Sequence, residues 1–273
     1  MLKDITLGQY FPGNSLIHRL DPRIKLILSL FYIVIIFLCK NVWSFVFILL
    51  FTAILVAISK IPFKVILKGL KPILFIIAFT SILNIFFTKG ETLLFEFHFI
   101  KIYLEGITKA VLIIVRIIVL LAGVSVILTY TTSPIALTDA IERLLMPLGH
   151  LGIPVHEFAM MMSIALRFIP TLIAETDKIM SAQKARGVDF SKGSLVQRAK
   201  ALIPILIPLL VSSIHRATDL ATAMECRCYR GGEGRTKMTR LSLNAMDFVM
   251  LFVFALVCTG VVLINAYAPG FAL

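Results

Sequence analysis

Ile107–Tyr130 reads ITKAVLIIVRIIVLLAGVSVILTY, and its 24 residues carry charge only at Lys109 and Arg116. A helix that crosses a bilayer needs about 20 mostly apolar residues. This stretch is long enough, and it lies in the middle of a chain that repeats the pattern on both sides. The expectation is an all-α integral membrane protein.

Composition agrees. Of the 273 residues 59% are hydrophobic, and mean hydropathy is +0.97. Soluble domains run about 45–50% apolar. The formal net charge is +12. In a membrane protein, excess Lys and Arg reports cytoplasmic loops and contact with anionic lipid rather than nucleic acid. The first apolar run follows Arg19, Asp21, Arg23 and Lys25, and no small-residue cleavage site comes after it, so no cleavable signal peptide is expected.

Outward from residue 107, four more segments qualify or nearly so: Ile24–Cys39, Val42–Ser59, Pro72–Phe87 and Phe248–Tyr267. Lys60, Lys64, Lys68 and Lys71 lie between the second and third, and Arg19, Arg23 and Lys25 precede the first. The positive-inside bias puts both groups in the cytoplasm. The N-terminus is then cytoplasmic, and Thr88–Lys101 is outside. That outer segment reads as a hairpin, with a turn at Lys89-Gly90 and alternation through Leu94, Phe95, Glu96, Phe97, His98 and Phe99. The fourth span returns, and the fifth leaves the C-terminus outside.

Thr131–Arg240 falls inside. From Glu175 to Arg240 it holds twelve Lys/Arg against six Asp/Glu. Its apolar runs are broken by Arg167 and Pro170, and by Pro204 and Pro208. If both runs crossed the membrane, Lys178, Lys184, Arg186, Lys192, Arg198 and Lys200 would lie outside, against the charge rule. Long helices against the inner leaflet are expected instead. Ser133-Pro134 opens one, ended by Pro147 and Gly149. Pro154 opens a second that runs to Arg186 and stops at Gly187. Leu195 opens a third, which reaches about Tyr229 and is stopped by Gly231-Gly232. Each of the last two is about 45 Å long at 1.5 Å per residue. The expected organisation is a four-span membrane domain over 1–130, a cytoplasmic arm over 131–243 and a last span over 244–273.

Both long helices end at an arginine between small residues: Ala185-Arg186-Gly187 and Cys226-Arg227-Cys228, with the two arginines 41 residues apart. A guanidinium holds a carboxylate with two parallel bonds, and small flanks let the walls of a partner close around it. One such arginine reads as a complement to the helix dipole. A matched pair on a cytosolic arm reads as docking to two similar receptors.

No catalytic constellation accompanies the tips. The chain has no Walker loop and no nucleophile elbow. His18, His98, His150, His156 and His215 are isolated, and Gly231-Gly232-Glu233-Gly234 reads as a turn. Cys226 and Cys228 have no further ligand close in sequence, so neither a metal site nor a cofactor is expected. The expectation is a protein that is not an enzyme. Arg116 lies within the fourth span, where a charge turns toward the bundle or water. Asn84 on the third span is a candidate partner, and a structural contact is favoured over a substrate role. Paired broken helices, a mark of secondary transporters, are missing.

The chain resembles the transmembrane T component of energy-coupling factor (ECF) transporters, a branch of the ABC importers. Nearly its whole length is similar. The likeness is carried by Gly8-Gln9-Tyr10-Phe11-Pro12-Gly13-Asn14-Ser15 with His18 and Leu20-Asp21-Pro22-Arg23-Ile24-Lys25. It continues in Pro154-Val155-His156-Glu157-Phe158, in Ala165-Leu166-Arg167-Phe168-Ile169-Pro170, and from Glu225 to Arg235. The first stretch is similar to the shared, vitamin-type members. The family's coupling helices end in Ala-Arg-Gly-type motifs. Ala185, Arg186 and Gly187 match in full, whereas Cys226-Arg227-Cys228 keeps only the arginine.

The resemblance implies a scaffold in the bacterial plasma membrane. It would join two cytosolic ABC-type ATPase subunits to one or several small membrane substrate-binding S components that take vitamins or other micronutrients. Arg186 and Arg227 would enter grooves on the ATPases. The apolar faces around Ile141, Leu144, Leu145, Met160, Met161 and Met162 are candidates for the S-component surface, since methionines pack adaptably. The alternatives are a dedicated cobalt or nickel importer's T component and a stand-alone secondary transporter whose basic arm binds lipid headgroups.

Overall fold

The computed structural model describes residues 10–39, 41–88, 92–97, 100–190, 194–231 and 242–267. Within them lie eight α-helices and one small hairpin: α1 Pro22–Leu38, α2 Val42–Ser59, α3 Phe63–Phe87, β1 Leu93–Phe97, β2 Ile100–Tyr103, α4 Leu104–Val124, α5 Pro134–Leu145, α6 Val155–Ala185, α7 Leu195–Cys226 and α8 Ala245–Tyr267. The protein is an all-α membrane protein. The chain divides into two compact units. Among the described residues a bundle comprises 10–140 and 242–267, and an arm is built on 141–231.

In the bundle, α4 packs on α1, α2 and α3, while α8 packs on α1 and α2. The core joins Leu28, Tyr32 and Ile36 of α1 to Phe45, Ile48 and Phe51 of α2, Val119 of α4, and Phe254 and Val261 of α8. Phe51 and Phe254 meet edge to face at 5.2 Å between centroids. Tyr32 sets the spacing of α1, α2 and α4. Its hydroxyl is 2.6 Å from Thr52 Oγ1 and donates to the Val119 carbonyl at 2.9 Å. Gly123 makes room for the ring, since a Cβ there would fall 2.2 Å from Tyr32 Cζ.

α4 continues into a π-helical turn at Ser125–Thr129, closed by the Tyr130 N–H donating to the Ser125 carbonyl at 2.8 Å. Ser133 then starts α5, its Oγ accepting from the Ala136 N–H at 3.2 Å. The unit boundary falls at 140/141, ten residues later than the 130/131 read from sequence. The physical reason is that Thr131 and Ala140 are buried, with the Thr131 carbonyl bonded to Lys25 Nζ.

The third span does not begin at Pro72: α3 starts at Phe63 and carries Lys64, Lys68 and Lys71 on the helix itself, leaving only Lys60–Pro62 as a loop. Pro72 is tolerated inside it. β1 and β2 pair antiparallel, and the expected turn at Lys89-Gly90 lies outside the described residues, as do His98 and Phe99. Pairing of Glu96 with Lys101 and of Phe97 with Ile100 sets that register. Among the described residues six helices are, by length and composition alone, apolar enough to cross a membrane, beside the expectation of about five spans. They include α6 and α7, each at mean hydropathy 1.5, the lowest of the six. α1 has 17 residues and falls just short of that length.

Candidate docking site at two helix ends

The arm begins at Ile141, within α5, and continues through a 3-10 turn at Met146–Leu151, where Pro147 and Gly149 were expected to end the helix. α6 starts after Pro154 with Glu157 in its first turn, a favourable place for an acid. His156 Nδ1 lies 3.0 Å from Glu142 Oε1 and so ties the start of α6 to α5. α7 opens with a capping box in which Ser194 Oγ accepts from the Gln197 N–H and Gln197 Oε1 accepts from the Ser194 N–H. Pro170 lies inside α6, and Pro204 and Pro208 lie inside α7.

The two helices end in the same way. At the first tip the Gly187 N–H donates to the Lys184 carbonyl at 3.0 Å, and the Val188 N–H reaches back to the Gln183 carbonyl at 3.1 Å. At the second, the Cys228 N–H donates to the Glu225 carbonyl at 2.8 Å, and the Tyr229 N–H to the Met224 carbonyl at 3.0 Å. Each pair of bonds is a Schellman cap, which needs a left-handed residue just beyond the helix. Gly187 supplies it at φ +89° and Cys228 at φ +57°. Arg186 (φ −82°, ψ 5°) and Arg227 (φ −90°, ψ 11°) occupy the same cap position with nearly the same backbone.

Sequence reading placed the second stop at Gly231-Gly232. α7 instead ends at Cys226, and Cys228 makes the turn. Gly231 is also left-handed, at φ +88°, but lies three residues further on, and residues 232–240 are outside the described ones. A left-handed residue that is not glycine is costly and uncommon. Residue type alone therefore gave no signal of it.

Both arginines are exposed, and so are Ala185, Gly187, Cys226 and Cys228. Among the described residues neither guanidinium makes a hydrogen bond or ion pair within the chain. Both remain available to an external acceptor. All four cysteines are free thiols, and among the described residues no three His, Cys, Asp or Glu side chains converge as a metal site would require.

The apolar candidates are only partly gathered. Ile141, Leu144 and Leu145 share a face of α5 by their spacing, with Ile141 and Leu145 exposed. Met160, Met161 and Met162 are consecutive and therefore point around α6. Met161 and Met162 are exposed, and Met160 is half-buried.

Arg116 does not pair with Asn84. Arg116 Nη2 donates to the Cys39 carbonyl at 3.3 Å, and its guanidinium stacks 5.0 Å over the Phe45 ring. Asn84 Nδ2 donates to the Thr80 carbonyl of its own helix at 2.9 Å. The charge in the fourth span thus fastens α4 to the α1–α2 corner.

Sequence reading missed two polar ties. In the bundle, Asp247 is buried at the start of α8. Its Oδ1 accepts from the Asp21 N–H and its Oδ2 from the Asn244 N–H, both at 2.8 Å. Beside it the Asp21 carboxylate accepts from the Arg23 N–H, Nε and Nη2. In the arm, Glu175 of α6 meets Ser212 and Arg216 of α7.

Residues 13–238 match the family model CbiQ, described as cobalt transport protein. A relative from Ruminiclostridium cellulolyticum, named energy-coupling factor transporter transmembrane protein EcfT, is 53% identical over 97% of this chain and 98% of its own. Proteins of the same name from Clostridium kluyveri and Bacillus subtilis are 53% and 48% identical, over 96% and 90% of this chain and 97% and 93% of their own. A family model that matches most of the length, and relatives about half identical from end to end, leave one conclusion: the chain belongs to the CbiQ family of transport proteins.

Proposed function

We propose that this chain is the transmembrane T component of an energy-coupling factor transporter. It would be a non-enzymatic scaffold that converts ATP hydrolysis by two cytosolic ATPase subunits into substrate release by a membrane S component. The observation that carries this reading is the pair of matched caps. Two exposed arginines stand on the same backbone, at the ends of two long helices, and among the described residues neither makes a hydrogen bond or ion pair within the chain. That is the arrangement two similar receptors require, and an ABC-type ATPase pair provides two.

In this reading the bundle anchors the arm in the plasma membrane, with the N-terminus cytoplasmic and the C-terminus outside. The arm, α6 and α7 included, stays on the cytosolic side. Its basic surface faces anionic lipid headgroups and the ATPases. Each guanidinium enters an ATPase groove and is held there by a carboxylate in bidentate fashion. When ATP closes the ATPase pair, the tips are displaced. Exposed apolar side chains such as Ile141, Leu145, Met161 and Met162 carry that displacement to the S component. Substrate choice belongs to the S component and covers vitamins or other micronutrients.

The description of the family model favours a second reading, a dedicated cobalt importer's T component. The names of the relatives favour the shared energy-coupling factor scaffold. The deciding experiment is mild solubilisation of the N-terminally tagged chain from its native membrane, followed by mass spectrometry of what copurifies. Two ABC-type ATPases with several small membrane proteins support the shared scaffold. ATPases with one constant partner support the dedicated importer. Recovery of the chain alone after crosslinking in the membrane refutes both.

A further inference from the structure

α6 and α7 share a thin seam. Ala159 is the buried residue of α6, and Ile205 is buried in α7. Between the helices runs an open apolar groove lined by Phe168, Leu172, Ala217 and Leu220. Apolar contact of this kind is not directional, so by itself it does not fix how far one helix can slide along the other. The Glu175 tie does. Glu175 Oε1 accepts from Ser212 Oγ at 2.6 Å, and Oε2 accepts from Arg216 Nη2. Ser212 and Arg216 are one helical turn apart on the same face of α7. One carboxylate therefore grips two successive turns. A slide of one residue, about 1.5 Å, stretches and misaligns both bonds, and the next comparable alignment is a full turn away, about 5.4 Å.

The tie is also equally far along each helix from its tip. Glu175 precedes Arg186 by eleven residues, and Arg216 precedes Arg227 by eleven. Each interval is uninterrupted helix of about 16 Å. Pro170, Pro204 and Pro208 all lie before the tie, so neither interval contains a proline that would bend it. Two stiff arms of equal length thus project from one polar joint.

We propose that Glu175, with Ser212 and Arg216, is a clamp that makes the two arginine tips a single lever, so that force applied at one tip moves the other. These are positioning residues. Their part in transport rests on the docking reading above, but the clamp itself can be read on the isolated chain. Without the tie the seam slides, and the tips move independently.

The test is a tip-to-tip distance distribution from two spin labels on the full chain. One label sits on Ser181→Cys and one on Thr222→Cys, both exposed and outside the two tip motifs, with Cys39, Cys226, Cys228 and Cys258 replaced by Ser. It is recorded first on the chain alone and then on the complex with its ATPases, with and without a non-hydrolysable ATP analogue. Glu175→Gln keeps the side chain's shape but removes its charge. The expected result in the isolated chain is a rise of about fivefold in the population outside the main distance. Ser212→Ala gives a smaller rise, and the exchange Glu175→Arg with Arg216→Glu restores the narrow distribution. In the complex, the analogue shifts the wild-type distribution as one peak and splits that of Glu175→Gln, while the ATPases stay bound. An unchanged distribution in Glu175→Gln would overturn the clamp, as would a charge exchange that fails to narrow it or ATPases lost from Glu175→Gln. Failure of the docking reading appears separately, as ATPases retained by the Arg186→Ala, Arg227→Ala double variant.

Discussion

Cys228 stands at the second helix end where Gly187 stands at the first, each one residue beyond an exposed arginine and each in the left-handed conformation. The same turn is therefore built from glycine once and from cysteine once. Cysteine gains nothing from this backbone, which costs a residue bearing a Cβ about 1–2 kcal/mol. What it preserves is a small flank beside Arg227.

Cys228→Gly is accordingly expected to stabilise the cap by about 1 kcal/mol. The measurement is hydrogen exchange at the Tyr229 amide, which donates to the Met224 carbonyl. Exchange slows in Cys228→Gly and quickens in Cys228→Val, whose β-branched side chain suits a left-handed position least. Equal rates in all three would mean that the cap does not depend on this residue.

The arginines themselves should act through their planar forks. Arg186→Ala and Arg227→Ala are each expected to weaken ATPase retention or uncouple hydrolysis from uptake, by about 2–5 kcal/mol where a desolvated carboxylate loses its partner. The double variant is expected to be worse than either. Lysine at either site restores little, because an ammonium cannot make two parallel bonds. Retention of ATPases on immobilised chain, with hydrolysis and uptake measured on the same preparation, checks this. Wild-type assembly in the double variant contradicts it.

Much of the arm was legible in the sequence because helix ends are written locally. Ser133-Pro134, Pro154 and Gly187 each bias the backbone within a residue or two, and the helices begin and end beside them. Cys228 was illegible for the opposite reason, since its left-handed turn is imposed by the cap's hydrogen bonds and not by residue type. Lys64 and Lys68 made the start of α3 look like a loop. Exposed lysines are good helix formers, and their long stems reach water from the helix surface. Long-range ties left no local trace at all. Arg116 was recognisably a bundle contact, but its partner on the α1–α2 corner could not be read from spacing. Glu175 and Arg216 are 41 residues apart on different helices and meet only once α6 and α7 cross.

Gly123 gives a sharper packing test within the bundle. A methyl group there would lie 2.2 Å from the Tyr32 ring, which is buried and held at its hydroxyl by Thr52 and the Val119 carbonyl. The ring cannot retreat without giving up both bonds. Gly123→Ala is expected to cost about 1–3 kcal/mol through overpacking. Tyr32→Phe removes the hydroxyl but keeps the ring, and costs about 1 kcal/mol. Thermal unfolding of the purified chain in detergent measures both. Similar midpoints for Gly123→Ala and wild type would mean that α4 shifts away from α1 freely.

Asp247 joins the two ends of the bundle in sequence. It is 1% exposed, and its two carboxylate oxygens serve the Asp21 N–H at the start of α1 and the Asn244 N–H at the start of α8. Asp21 caps α1 in turn and also holds Arg23. The relation spans 226 residues, so the last helix is docked by a buried polar contact as well as by its apolar face. Removing the acceptor strands a buried N–H and costs the desolvation of that group, about 1–3 kcal/mol. Asp247→Ala should therefore lower the unfolding midpoint and expose residues 242–244 to protease, while leaving the arm's tips and their ATPase retention intact. Asp247→Asn should fall between, because an amide offers one acceptor oxygen and turns a donor toward the second N–H. An Asp247→Ala chain as stable and as protease-resistant as wild type would show that α8 is held by apolar packing alone.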